Sequence, residues 1–133
     1  MIGAISTALS GLFAASKKAE ASASNIANLN TAGSLDPASP NQPYSAVTTV
    51  QTANARGGVT ATNVVKEPGY VSAYSPDSPF ANAEGMVGVP NVDLAEEVVN
   101  LKLAEISYKA SIKALQAAQD MAEETTRMVD KKA

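Results

Sequence analysis

The chain has 133 residues, of which 45% are hydrophobic and only 5% aromatic, so we expect one domain without a thick globular core. The net charge is −3 and the ten basic residues are scattered, which argues against a nucleic-acid partner. There is no cysteine or histidine, so a disulfide framework, a thiolate metal site and the commonest general base are excluded. We therefore expect no enzyme, no cofactor, no bound metal and no small-molecule substrate.

The first predicted element is a long N-terminal helix from Ile2 to about Leu29. Apolar or small residues recur along it with the alternating three- and four-residue spacing of a coiled-coil seam. Turn chemistry at Asn30 and Gly33 ends the helix, and we expect a left-handed conformation at Gly33. The predicted interface residues of this stripe are Ile2, Ile5, Leu9, Leu12, Ala19, Ala23 and Ile26, with Ser16 in step.

Two asparagines lie near the end of this helix. Asn25 and Asn28 are three residues apart and therefore share a helix face, where each amide can donate and accept a hydrogen bond. We assign both to a contact between subunits. The alternative is that they only terminate the helix.

The middle of the chain reads as a linker followed by a small sheet. Three prolines between residues 37 and 43 forbid helix. Residues 44–52 and 59–65 favour two strands joined at Gly57 and Gly58, and a short third strand is predicted at residues 69–71. So small a sheet is marginally stable alone, and it needs to lie on the helices or on a neighbour.

The last predicted element is a helix from Leu94 to Ala133, uninterrupted by Pro or Gly and about 55 Å long. Asp93 and Glu96 fit a capping box at its start. The ion pairs of Glu105 with Lys109 and of Glu123 with Arg127 are expected to stabilise its solvent-exposed face. A second apolar stripe runs along it, and we predict interface roles for Leu94, Val98, Leu101, Tyr108, Ile112, Leu115, Ala122 and Val129.

The predicted fold is mainly α, with long N- and C-terminal helices that form a coiled-coil-like pair or array and a middle segment containing a β-hairpin. We divide the chain into an N-terminal assembly helix with its Asn-rich motif (1–33), an extended or β segment (34–90) and a C-terminal assembly helix (91–133). The simplest alternative is a helical hairpin in which each helix covers the other. Two helices leave much of each stripe exposed, so we expect burial against other subunits.

The uncharged first sixteen residues do not have the order of a cleaved signal peptide. Such a peptide carries positive charge before its apolar run, whereas Lys17 and Lys18 follow it here. The run is also shorter than the roughly 20 apolar residues of a membrane-spanning helix. We expect any export to retain the N-terminus.

Three short motifs mark the N-terminal part of the chain, namely ALSGL at residues 8–12, NIAN at 25–28 and NTAG at 30–33. Together they resemble the N-terminal signature of bacterial flagellar axial proteins, the components of rod and hook. GMVGVPNVD at 85–93 and SYKA at 107–110 are similar to the ending of proximal rod proteins. Two departures are Glu105, where the family often carries a basic residue, and the lack of a basic cluster after Tyr44.

The resemblance implies a structural subunit of the proximal basal-body rod that polymerises through its terminal helices into a torque-transmitting shaft. It implies as partners copies of itself, other rod proteins, the inner-membrane ring, rod-base adaptor proteins and the flagellar type III export apparatus. It also implies a periplasm-spanning location, reached without cleavage of a signal peptide. Two alternatives stay open: another rod or hook-junction subunit, and a secreted helical membrane-active effector or translocator.

Overall fold

The computed structural model describes residues 2–130, except for the side chains of Ile2, Val129 and Asp130. Over that range the chain forms two long helices and four short strands. Their order is α1 (Ile2–Ala27), β1 (Val47–Ala53), β2 (Val59–Val65), β3 (Tyr70–Tyr74), β4 (Met86–Pro90) and α2 (Leu94–Asp130). The predicted fold class is confirmed, since terminal helices flank a small β region.

The two helices pack against each other as an antiparallel pair. Asn25, near the end of α1, hydrogen-bonds to Glu97 in the first turn of α2. Gly11, in the first half of α1, lies across from Ser111 in the middle of α2. The two chain directions are therefore opposite. With 26 and 37 residues, α1 is about 39 Å long and α2 about 55 Å.

Asp93 caps the N-terminus of α2, as the sequence predicts. Its Oδ1 atom accepts hydrogen bonds from the backbone N–H groups of Ala95 (2.8 Å) and Glu96 (3.1 Å), so two free donors of the first turn are satisfied. The predicted second half of the capping box is wrong, because the Glu96 carboxylate reaches Lys66, 3.9 Å away, instead of the backbone of Asp93. The predicted last turn of the helix, residues 131–133, lies outside the described residues.

Asn28 stabilises the turn that follows α1. The helix ends at Ala27, two residues before the predicted end, and residues 28–30 form a turn. The Asn28 amide donates to the carbonyl of Ser24 (2.9 Å), and its Oδ1 atom accepts from the hydroxyl of Thr31 (3.3 Å). These bonds satisfy groups that the end of the helix leaves free.

Gly33 does not take the left-handed conformation predicted for it. Among the described glycines, positive φ angles occur at Gly57, Gly58 and Gly85. Gly33 instead forms an isolated antiparallel bridge with Gly88, where an added Cβ atom would overlap the backbone of Pro43. Glycine is needed at this position for close approach of the backbones, and the bridge ties the end of α1 to β4.

The predicted hairpin of β1 and β2 is present. The strands are antiparallel, with Val47 opposite Val65. The turn between them contains Gly57 and Gly58, with φ angles of 89° and 84°, which glycine adopts at no steric cost.

This hairpin lies along one side of α1. The backbone N–H of Val59 donates to Ser10 Oγ (3.1 Å). The Thr49 hydroxyl, which donates to Asn63 Oδ1 (2.8 Å), lies 3.4 Å from the carbonyl oxygen of Lys17. An added Cβ atom at Gly58 would overlap the Ser10 side chain. The helix supplies the support that a two-stranded sheet lacks alone.

A fourth strand, β4, is present beyond the three that the sequence predicts. β3 pairs with β4 in an antiparallel sheet, with Tyr70 opposite Pro90. Residues 86–90 lie in the segment that is predicted only in general terms as extended or β. Val87 in β4 is 2% exposed and is the largest apolar side chain that is fully buried in the described part of the chain.

The start of α1 carries hydroxyl side chains that bond to the helix backbone. Ser6 donates to the carbonyl of Gly3 (3.0 Å), and Ser10 donates to that of Thr7 (2.7 Å).

Over residues 2–130, neither helix has a segment both long and apolar enough to cross a lipid bilayer.

Candidate subunit interface

The contact between the two helices is made of small side chains. Within the described residues, the buried apolar side chains are Ala14, Ala15, Ala21, Ala46, Ala104, Ala118 and Val87. Most of these alanines lie on α1 or α2. Small side chains let two helices approach closely, but each of them buries little apolar area. The chain is thus folded with Val87 as the one large aliphatic side chain that is fully buried in its described part.

On one side of the helix pair, predicted stripe residues from both helices line an open groove. The groove has a volume of about 810 Å³ and runs between residues 15–23 of α1 and 98–109 of α2. Its apolar walls consist of Ala15, Ala19, Ala23, Val98, Leu101, Ala104 and Tyr108. No described segment of the chain fills it. An apolar groove between two helices is a common binding surface for a helix of a partner.

Ion pairs border the groove on both helices. On α1, Lys17 pairs with Glu20 at 2.7 Å. On α2, Glu105 pairs with Lys102 at 2.7 Å and with Lys109 at 2.5 Å. The hydrogen bond from Lys102, followed by that from Lys109, lowers the pKa of Glu105 from 4.5 to about 2. The pair with Lys109 was predicted from the sequence, and Lys102 adds a second cation.

Asn25 joins three elements of the fold and is only 1% exposed. Its amide nitrogen donates to Glu97 Oε1 (2.6 Å) and to the carbonyl of Val47 (2.8 Å). Its Oδ1 atom accepts from the backbone N–H of Val47 (2.9 Å) and from the hydroxyl of Tyr44 (3.0 Å). All four hydrogen-bonding positions of the amide are used. Asn25 therefore holds α1, the start of β1 and α2 in one arrangement.

This geometry corrects the sequence-based interpretation of Asn25. The amide of Asn25 is fully used within the chain, so it has no hydrogen bond left for a neighbouring subunit. Asn28 is half-buried and makes one donated and one accepted bond within its own turn, so its contact between subunits stays a prediction. Glu97, in the first turn of α2, is 8% exposed and bonded to Asn25, a role that the capping pattern of the helix start does not reveal. The signal for this role was the spacing of Asn25 from the buried Ala21 and Ser22, which places all three near one face of α1.

α2 carries a further apolar stripe beside the predicted one. It consists of Val99, Leu103, Ile106, Met121 and Met128, each between 47% and 58% exposed. The first three are four and three residues apart, as in the predicted seams. The stripe went unnoticed because the seam through Leu101 and Tyr108 fits the same spacing. A helix that is apolar on several sides is normally covered on several sides.

The structure distributes the predicted interface residues over three environments. Those brought together in the groove are Ala19, Ala23, Val98, Leu101 and Tyr108. Leu9 and Leu94 are exposed outside it. The half-buried ones are Ile5, Leu12, Ile26, Ile112, Leu115 and Ala122. The side chains of Ile2 and Val129 lie outside the described part of the chain. Their role between subunits stays a prediction.

Two family comparisons match the two ends of the chain. The family "Flagella basal body rod protein" matches residues 5–33, and "Flagellar basal body rod FlgEFG protein C-terminal" matches residues 83–128. The matched segments contain most of α1 and α2, the helices that line the groove. The fold and the matches together define the class: a rod-type protein of the bacterial flagellum.

Individual relatives narrow the class. The chain is 36% identical to "Flagellar basal-body rod protein FlgC" of Salmonella typhimurium over 118 residues, which are 84% of this chain and 85% of the relative. It is 35% identical over 119 residues to the protein of the same name from Escherichia coli O157:H7, with the same coverage. The match to FlgC of Bacillus subtilis is 38% over 69 residues, covering 51% of this chain and 46% of the relative.

The chain belongs to the FlgC family of flagellar basal-body rod proteins. Its function is that of a structural subunit of the rod, and its place is the flagellar basal body. As a rod component it assembles with other rod and flagellar proteins.

Proposed function

We infer that the chain polymerises through its terminal helices and becomes part of the helical wall of the proximal rod, the shaft that transmits torque. The observation that carries this proposal is the apolar groove of about 810 Å³ between α1 and α2, which no described segment fills. The exposed stripe on α2 supports it as well. Neighbouring subunits cover both surfaces, and a wall of long packed helices resists twisting through many small contacts.

The accessible surface has the size that this proposal requires. The chain exposes 8620 Å², whereas a compact monomer of its mass of 13.6 kDa exposes about 6,600 Å². The excess of about 2,000 Å² is more than twice the roughly 800 Å² that each partner buries in a standard specific interface. Burial of this excess is the driving force that we assign to polymerisation.

The remaining roles follow from membership of the rod. We assign the chain contacts with copies of itself, other rod proteins, the inner-membrane ring, the rod-base adaptor and the type III export apparatus. It reaches the periplasm-spanning rod by export without a cleaved signal peptide. A thin helix pair closed by alanines suits such export, because elements with little buried apolar area unfold at low cost. Its role is structural, and we assign it no catalytic step.

The proposal is tested with Leu101→Asp, which puts a charge on the wall of the groove. The variant is expressed in a strain that lacks the native protein, and swimming and rod completion are scored by soft-agar assay and electron microscopy. We expect normal expression with incomplete rods. Gln116→Asp is the matched control, since it adds the same charge at an exposed site of α2 outside the groove. Normal swimming of the Leu101→Asp strain contradicts the proposal.

A further inference from the structure

We propose that the groove receives the C-terminal end of α2 from a neighbouring rod subunit of the same fold. The donated segment is residues 121–130, here called the overhang. The proposal rests on the proposed function, because it names the contact through which subunits join.

The overhang extends beyond the partner helix of its own chain. Gly11 lies across from Ser111, and α1 begins at Ile2, nine residues before Gly11. Nine residues after Ser111 the antiparallel α2 has reached Asp120. The next ten residues project about 15 Å past the start of α1. Met121 and Met128, the overhang's two large apolar side chains with described positions, are 58% and 56% exposed.

The groove and the overhang lie at opposite ends of the helix pair. The groove is formed by residues 15–23, in the second half of α1, and residues 98–109, in the first half of α2. When two subunits of this fold are offset head to tail with parallel axes, the overhang of one reaches the groove of the other. A contact between two different surfaces of like subunits generates an open helical array when the successive rotations do not close a ring.

The dimensions and side chains of the two surfaces agree. The α2 wall of the groove is about 17 Å long and the overhang about 15 Å. Met121 and Met128 are seven residues apart, so they lie on one face of the helix. Long, flexible methionine side chains fill an irregular apolar surface well, and Ala19 and Ala23 leave room for them.

The charges beside the two surfaces are of opposite sign. Around the overhang, the carboxylates of Asp120, Glu123 and Glu124 outnumber the guanidinium of Arg127, which pairs with both glutamates. Around the groove, the ammonium groups of Lys17, Lys102 and Lys109 outnumber the carboxylates of Glu20 and Glu105 by one. Opposite charge steers the two surfaces together and helps to set their register.

The experiment uses photo-crosslinking in isolated basal bodies. Glu20, an exposed residue at the rim of the groove, is replaced by p-benzoylphenylalanine, which inserts into nearby C–H bonds on irradiation. Lys113, exposed on α2 and outside the groove, carries the same probe as the control. The captured peptide is identified by mass spectrometry. We expect the C-terminal helix end of a rod subunit, either a second copy or a relative, at position 20 and not at position 113.

A second variant tests whether the crosslink depends on the apolar face of the overhang. Adding Met128→Asp to the Glu20 probe is expected to reduce this crosslink at least five-fold. Capture of a peptide from an N-terminal helix or a β segment, or no capture in complete rods, overturns the proposal. In either case complete rods leave the proposed function standing, whereas rods that lack the chain altogether contradict both.

Discussion

The inner contact of the helix pair and its outer surfaces are built from opposite kinds of residue. The inner contact contains alanines and the buried bond between Asn25 and Glu97. The outer surfaces carry Leu101, Leu103 and Ile106, which are 37%, 47% and 56% exposed. A soluble monomer normally has the reverse distribution. The difference indicates that small residues form the packing within the chain, whereas large apolar residues on the outer surfaces are exposed for contact with neighbours.

The energies follow the same division. Burial of a large aliphatic side chain contributes about 1.5–3 kcal/mol, and each buried methylene group about 0.8 kcal/mol. An alanine seam therefore gives modest stability within the chain. Assembly gains more per residue when it covers the outer surfaces, so folding and polymerisation respond to different substitutions.

The largest effect on the fold is expected from Asn25→Leu. It leaves the Glu97 carboxylate without its donor and both backbone groups of Val47 without their partner. We expect the free energy of unfolding to fall by about 3 kcal/mol or more, measured by urea denaturation followed by circular dichroism. Asn28→Ala removes only bonds of the local turn and serves as the control. A loss below about 0.5 kcal/mol, the usual range of surface substitutions, contradicts the role of Asn25.

A smaller loss is expected from Ala104→Leu. Ala104 is 1% exposed, so a larger side chain forces the two helices apart. We expect a cost of about 1–3 kcal/mol from overpacking, measured by the same denaturation. Ala110→Leu makes the identical change at an exposed site of α2. Equal stability of the two variants shows that the inner contact is not closely packed.

Leu103→Ala tests the outer surface, where we expect an effect on assembly and little effect on stability. Because Leu103 is half exposed, the free energy of unfolding should change by no more than about 0.5 kcal/mol. Rod assembly should nevertheless fall, as measured by the yield of complete basal bodies. Full assembly with this variant removes the second stripe from the interface.

The smallest effect concerns pH. The two lysines hold the pKa of Glu105 at about 2, below its ordinary 4.5, so the stabilisation is complete above pH 4.5 and is lost as the pH falls toward 2. We expect the helicity of the wild-type chain to exceed that of Glu105→Gln slightly at pH 6, with no difference near pH 2. Circular dichroism at low and high salt measures this, and a difference that grows on acidification is the contrary result.

Much of the fold could be predicted because local rules decide it. The helices, the first hairpin and the Asp93 cap follow from residue spacing, glycine turns and side-chain acceptors. β4 was missed because its partner strand is separated from it by a long loop, and no local signal reports such pairing. Gly33 was misread for a related reason, since its need for glycine comes from the distant Pro43 and Gly88.

The sequence predicts that both helices carry apolar stripes, but not which face of each helix packs against the other helix of the chain. Both seams have heptad spacing, and spacing alone does not say which of several apolar faces of a helix turns toward its partner in the chain. The faces that pack together within the chain carry small residues and Asn25. The partners of Asn25 on β1 and α2 are not revealed by any helical pattern. Several residues of the predicted seams are not covered by the packing of α1 against α2, and these line the groove.

The most direct test of the account is thiol labelling of the groove in the free and the assembled protein. The chain has no cysteine, so Leu101→Cys introduces a single reactive group on the groove wall. We expect rapid labelling of the purified chain by a maleimide and at least ten-fold slower labelling in intact basal bodies, with urea-denatured samples giving the total. Equal rates in the free and assembled states contradict the claim that neighbouring subunits cover the groove.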